Sequence, residues 1–142
     1  MREILFRGKR IDTGSWKEGY YLCLHSNEED LRFIVDNNGE YHRVKPETIG
    51  EFTGLTDKNG KEIFEGDIVY YNDTLHKVVF CTINGCAFFG ITYPDRGAVW
   101  NFDGITCAHR MKIIGNIYDN PELIGGNYDF YPNCGALMDG EI

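Results

Sequence analysis

Lys77-Val-Val-Phe-Cys-Thr-Ile83 runs into Asn84-Gly85 and out through Cys86-Ala-Phe-Phe-Gly-Ile-Thr-Tyr93. Two runs rich in β-branched and aromatic residues, which suit a pleated surface, thus meet at the dipeptide that most strongly marks a hairpin. A type I′ turn needs positive φ at both central residues, and Asn-Gly tolerates it. Asn38-Gly39 likewise separates Leu31-Arg-Phe-Ile-Val35 from Glu40-Tyr-His-Arg-Val44, and Asn59-Gly60 sits within Asp57-Lys-Asn-Gly-Lys61. Three such turns predict antiparallel pairing as the dominant order. Further strands are predicted over Glu3–Arg7, Gly19–Leu24, Asp67–Tyr71 and Met111–Tyr118. No segment carries a long helical period. Pro46–Ile49 and Asn120–Ile124 read as single helical turns with proline at the first helical position.

Composition agrees. The 142 residues include 17 glycines, 4 prolines and 14% aromatics, as expected of short apolar strands joined by tight turns. A chain of this length buries about two thirds of its unfolded surface, enough to fold without disulfides or metal. Composition shifts near Thr53 and again near Tyr118. The expected division is a β part over 1–52, a second β part over 53–124 and a loosely held tail over 125–142.

The net charge of −8 disfavours phosphate-driven nucleic-acid binding, since 14 basic residues face 22 acidic ones. No basic run exceeds Arg7-Gly-Lys9-Arg10, and the acidity reads as solubility. No apolar stretch approaches the roughly 20 residues that span a bilayer. The run after Met1-Arg2-Glu3 is too short for a signal peptide, so the expected location is the cytoplasm. Five cysteines (Cys23, Cys81, Cys86, Cys107 and Cys134) form an odd set, which argues against a disulfide framework.

Cys81, Cys86, Cys107 and His109 offer four possible metal ligands. The first pair flanks a turn at near-zinc spacing; the second, at i and i+2 of a predicted strand, is an unusual zinc spacing. The expectation is buried thiols, a surface histidine and no metal. His25, His42, His76 and His109 each read as lone strand residues, expected at the surface or with satisfied ring nitrogens. No nucleophile elbow, phosphate loop or H-E-x-x-H occurs, so neither a catalytic residue nor a cofactor is expected. Phe88, Phe89, Tyr93, Trp100 and Phe102 crowd the last hairpin and the loop after it. Phe88 and Phe89 point to opposite strand faces, so burying both requires a cover: the N-terminal part or a second copy. These five residues are the candidate interaction surface.

Phe52-Thr-Gly-Leu-Thr-Asp-Lys-Asn-Gly-Lys-Glu-Ile-Phe-Glu-Gly-Asp-Ile-Val69, the later Ile114-Gly-Asn-Ile-Tyr-Asp-Asn-Pro-Glu-Leu123 and the opening Arg2-Glu-Ile-Leu-Phe-Arg-Gly8 resemble the YopX family of phage and prophage proteins. The resemblance covers nearly residues 1–124. It implies an SH3-like barrel in the central and C-terminal part, a smaller N-terminal β part, and a gene carried by a bacteriophage or integrated element. It transfers no catalytic residue. In Glu65-Gly-Asp-Ile-Val69, Asp67 is placed to accept backbone N–H groups before its strand, and Ile113–Tyr118 is expected as the closing strand. Tyr131-Pro-Asn-Cys-Gly135 resembles a zinc-knuckle end, but Tyr131 stands where the first sulfur belongs, and Cys134 alone cannot hold zinc. The resulting expectation is a mostly β, non-enzymatic protein that self-associates or binds a host or phage protein. The alternative is a nucleic-acid-binding accessory using the barrel.

Overall fold

The computed structural model describes residues 4–83, 86–93, 98–101 and 108–124. The chain divides into two compact units, the first ending at Gly54 and the second beginning at Leu55. The strands are β1 (Phe6–Lys9), β2 (Trp16–His25), β3 (Asp30–Val35), β4 (Tyr41–Arg43), β5 (Gly50–Thr56), β6 (Glu62–Phe64), β7 (Asp67–Tyr71), β8 (Thr74–Ile83), β9 (Cys86–Tyr93), β10 (Ala98–Asn101) and β11 (Lys112–Asn116). One antiparallel sheet has the order β4-β3-β2-β1-β5-β6, the other β10-β9-β8-β7-β11. The fold is therefore mostly β, as expected. The two predicted helical turns are short 3₁₀ segments, Pro46–Thr48 and Pro121–Ile124. Among the described residues no helix is long and apolar enough to cross a membrane.

The hairpins fall where expected, but two turns differ from the type I′ expectation. Among described non-glycine residues, positive φ occurs at Asn72 (52°) and Asp73 (62°), which form the two-residue turn between Tyr71 and its partner Thr74. Asn38 and Asn59 keep negative φ, and the left-handed positions belong to Gly39 (79°) and Gly60 (81°). Each turn is a three-residue loop closed by a glycine bulge. The cause is the aspartate that opens it. In one, Gly39 N–H donates to Asp36 O and Asp36 N–H to Glu40 O, both at 3.0 Å. In the other, Gly60 N–H donates to Asp57 O at 3.0 Å and Asp57 N–H to Lys61 O at 2.8 Å. Asn84-Gly85 lies outside the described residues, between the paired Ile83 and Cys86.

In the first unit, Arg10 bridges to Val44, joining the end of β1 to the end of β4 and curling the sheet on itself. Registers place Phe6, Gly8, Gly19, Tyr21, Ile34, His42 and Val44 on one face. Ile34 and Val44 are buried there. Gly19 is required for packing: a Cβ would stand 2.0 Å from the Val35 carbonyl oxygen. β1 begins at Phe6 rather than Glu3, and β2 is longer than expected, starting at Trp16. Beyond Gly19 it outruns β1, so Tyr20–His25 pair only with β3.

In the second unit Ile63, Val69, Val78, Ile91, Ala108 and Met111 form the core, flanked by Leu55, Tyr71, Phe89 and Ile113. Full burial of each Ile, Val or Met side chain among them contributes about 1.5–3 kcal/mol. Asp67 accepts the Phe64 N–H at 2.7 Å, as expected. Gly66 adopts φ 95°, with Tyr118 against the position a Cβ would take. His76 is fully buried, its ring nitrogens 2.9 Å from Thr92 O and 3.1 Å from Tyr71 O. β11 ends at Asn116 rather than Tyr118, because the Asn116 side chain accepts the N–H groups of Tyr118 and Asp119 and turns the chain. β11 pairs with β7 and stands at the opposite edge of its sheet from β10. The tail expected from residue 125 lies outside the described residues.

Candidate interaction surface and polar cluster

β2 reads Trp-Lys-Glu-Gly-Tyr-Tyr-Leu-Cys-Leu-His, apolar at alternate and adjacent positions alike. A strand so composed presents apolar side chains to both faces, and only one face lies inside the curl. The outer face is ordered in rows by the register: Tyr20, Val35 and Tyr41, then Leu22, Phe33 and Arg43, then Leu24 and Leu31. Tyr20 is 69% exposed, Tyr41 61% and Leu24 45%. Phe33 and Tyr41 meet edge-on with centroids 5.9 Å apart. At the β1 end, Arg7 lies 4.6 Å and Lys9 5.7 Å from the Trp16 ring centroid. Cation–π contact of this kind is worth about 0.5–1 kcal/mol at an exposed site. Arg43 pairs with Glu29 at 3.0 Å.

The opposite face of the β2–β3 overhang is polar. Cys23 stands opposite Arg32 and His25 opposite Asp30, with Tyr21 next in line. His25 Nδ1 lies 2.8 Å from Asp30 Oδ1. Arg32 donates to the Tyr21 hydroxyl at 2.6 Å and reaches Asp30 at 3.7 Å. The donor atoms of Cys23, His25 and Asp30 all lie within 4.8 Å of one another. The hydrogen bond from His25, reinforced by the Arg32 charge, holds the Asp30 carboxyl below its ordinary range. The nearby Cys23 and Tyr21 raise the Arg32 guanidinium further.

A second chain of contacts closes the curl. Arg10 donates to Asp12 at 2.8 and 2.5 Å and lies 2.9 Å from His42 Nδ1. A guanidinium only donates, so His42 accepts at Nδ1 and its proton sits on Nε2, 2.7 Å from Asp36 Oδ2. Asp36 is lowered, first by His42 and then by the backbone N–H groups of Glu40 and Asn38. Arg10 pulls Asp12 far below the usual carboxylate range. Asp36, Glu40 and His42 also lie within ligand distance of one another. Both nitrogens of His42 are already engaged, one of them by a cation, so this network is a structural brace.

The five residues expected to form the interaction surface lie on or near β9 and β10 in the chain. Phe89 is half-buried against the core, with Phe80 at 4.9 Å between ring centroids, and Phe88 is half-buried on the other face. Tyr93 and Trp100 occupy strand positions opposite Ala98 and Ile91, and Phe102 lies outside the described residues. Of the candidate ligands, Cys81 and Cys86 lie on β8 and β9, and Cys107 is outside the described residues. His109 lies in a turn rather than a strand, 3.5 Å from the Thr56 hydroxyl. The four histidines are surface or satisfied residues, as expected, though His109 is not in a strand and His25 and His42 are not alone. His25 and His42 find carboxylate partners, and His76 sits between two carbonyls. The signal was available: a histidine and an aspartate ending one strand and opening the next become cross-strand neighbours once the register is known.

The profile described as YopX protein matches residues 5–125. No curated protein matches the chain. Among solved structures, the crystal structure of protein EF1440 from Enterococcus faecalis is similar at 24% identity and a TM-score of 0.46, covering 87% of this chain and 99% of that one.

Proposed function

The chain belongs to the YopX family, and on that premise we propose that it is a non-enzymatic, phage- or prophage-encoded module that acts in the bacterial cytoplasm by binding protein, including further copies of itself. The observation that carries this reading is the outer face of β2, β3 and β4. Two well-exposed tyrosines and an exposed leucine flank half-buried Leu22, Leu31, Phe33 and Val35. A contiguous apolar sheet face rimmed by charge is the anatomy of a contact surface. The rim carries both signs, with Arg43 and Glu29 at one end and Arg7, Lys9 and Glu18 at the other, so a second copy can meet it across a two-fold axis. A catalytic reading has less support. His25 and Asp30 side chains are 78% and 44% exposed, and a reacting group needs water excluded around it.

The second unit is read as an SH3-like barrel. β7 to β10 run as a meander, β11 returns beside β7, and Leu55 and Ile63 from β5 and β6 pack on the same core. Light scattering after size exclusion tests the assembly. A mass rising with concentration above 16.3 kDa is expected, reverting to monomer in Tyr20→Asp with Tyr41→Asp. A strict monomer at high concentration refutes self-association.

A second reading, an accessory that binds single-stranded nucleic acid, draws support from the same outer face, where Arg7, Lys9 and Arg43 accompany Trp16, Tyr20 and Tyr41. Residues 1–54 carry 8 basic against 10 acidic side chains, a milder imbalance than the 6 against 12 in the rest. Titration with fluorescent oligonucleotides at low salt decides, and no binding discards this reading.

A further inference from the structure

We propose that Cys23, His25 and Asp30 form a binding site for one borderline-soft divalent cation, of which Zn²⁺ is the type. The donor set carries the inference. A thiol sulfur, an imidazole nitrogen and a carboxylate oxygen are the three ligand types zinc accepts, and three protein ligands with one open position is a recognised arrangement for it. A hard cation such as Mg²⁺ or Ca²⁺ calls instead for oxygen donors throughout.

The scaffold explains why these three meet. Cys23 and His25 stand two apart on β2, so they share a face. Asp30 opens β3 directly opposite His25. The connection between them is pinned by Ser26, whose N–H donates to Glu29 O at 3.0 Å and whose hydroxyl accepts the Glu29 N–H at 3.1 Å. The ligand atoms already lie within 4.8 Å of one another. Zn–N and Zn–O bonds near 2.1 Å set tetrahedral donors roughly 3.4 Å apart. The His25–Asp30 separation of 2.8 Å must open slightly, a side-chain rotation at an exposed hairpin end.

The surrounding shell suits the role. Arg32, anchored on the Tyr21 hydroxyl, approaches Asp30 at Oδ2, leaving Oδ1 toward His25. Outer contacts that orient a ligating carboxylate in this way raise the occupancy of a metal site. The thiolate and the carboxylate together offset the cation's charge and that of Arg32, which stands opposite Cys23. The fourth position opens to solvent. Because sulfur must lose its proton to bind, affinity rises with pH. Such a site cross-links β2 to β3 where they have outrun β1, stiffening the end of the proposed contact face. It stands whether or not copies associate.

Cobalt serves as the probe. Titrating Co²⁺ into the reduced full-length chain is expected to give a sulfur-to-cobalt charge-transfer band and intense four-coordinate d–d bands, saturating at one equivalent and bleached by Zn²⁺. Cys23→Ser abolishes the charge-transfer band, and His25→Ala or Asp30→Ala weakens binding at least about tenfold. Cys81→Ser and His109→Ala leave the titration unchanged. Bands that survive Cys23→Ser, or that vanish in Cys81→Ser instead, overturn the assignment. So does the absence of any cobalt spectrum at millimolar metal. Circular dichroism of each variant confirms that the sheet persists.

Discussion

Asp36-Asn-Asn-Gly-Glu40 in the first unit and Asp57-Lys-Asn-Gly-Lys61 in the second are the same turn built twice, with different attachments. In each, one carboxylate oxygen accepts two turn N–H groups, those of Asn38 and Glu40 or of Asn59 and Lys61. The other oxygen differs. Asp36 Oδ2 accepts the Nε2–H of His42, at the head of the brace through Arg10 to Asp12. Asp57 Oδ2 takes the backbone N–H of Ile113 at 3.0 Å, at the start of β11, and Asp57 is buried. One aspartate is linked to side chains that can rotate or titrate, the other to backbone that can do neither. A turn's local chemistry is therefore portable, while its contribution to stability depends on where its second oxygen points.

The comparison breaks most sharply at Asp57. Asp57→Ala leaves three backbone donors without their acceptor in a buried place and is expected to cost about 3–5 kcal/mol. Urea unfolding should show the loss, and hydrogen exchange should place it in β6 and β11. An effect under 1 kcal/mol would mean water replaces the carboxylate. Asp36→Ala frees two turn donors nearer solvent and releases His42. About 1–2 kcal/mol is expected, read by the same unfolding curves.

Acid tests both carboxylates next. Desolvation raises the Asp57 carboxyl, but the N–H groups of Ile113, Lys61 and Asn59 outweigh it, and its pKa is lowered in the fold. Asp36 is lowered as well, chiefly by His42. A lowered folded value means that the unfolded chain binds the proton more readily. The stabilisation is complete above the unfolded carboxyl value of about 4 and is lost as pH falls through the folded value. Asp57→Asn and Asp36→Asn should each flatten the acid limb of a stability–pH curve. An acid limb that keeps its slope in either variant would mean that the carboxylate it removes has the same pKa folded and unfolded. The smallest effect should be shared. Gly39 and Gly60 have nearly the same positive φ and nothing within 4 Å of a built Cβ. Gly39→Ala and Gly60→Ala should each cost about 1–2 kcal/mol, matched within roughly half a kcal/mol. A large mismatch in thermal midpoints would show that tertiary surroundings reach the turn backbone itself.

Much of the fold was legible because β-structure leaves local marks. Asn38-Gly39 and Asn59-Gly60 announced reversals, the apolar runs between them announced strands, and Asp67 announced its backbone contact. The turn type was misread because Asn-Gly also serves a three-residue loop, and the deciding residue was the aspartate two or three positions earlier. The isolated turn Asn72-Asp73 carries the positive φ pair without any glycine.

The candidate site was less legible. Five aromatics concentrated in one stretch drew attention to Phe88 and Phe89, yet Phe89 supports the core, whereas exposed Tyr20 and Tyr41 lie twenty-one residues apart in the chain and share one row of the sheet. Cys23, His25 and Asp30 looked unremarkable singly.

Period-two alternation, turn chemistry and the family blocks by themselves determined a mostly β chain of antiparallel hairpins, because these depend on neighbours a few residues away. Which face of β2 is covered, and which polar side chains meet across it, was decided by tertiary structure. Curling the sheet through Arg10 and Val44 encloses one face and leaves the other in water, and no short-range pattern encodes the direction of that curl.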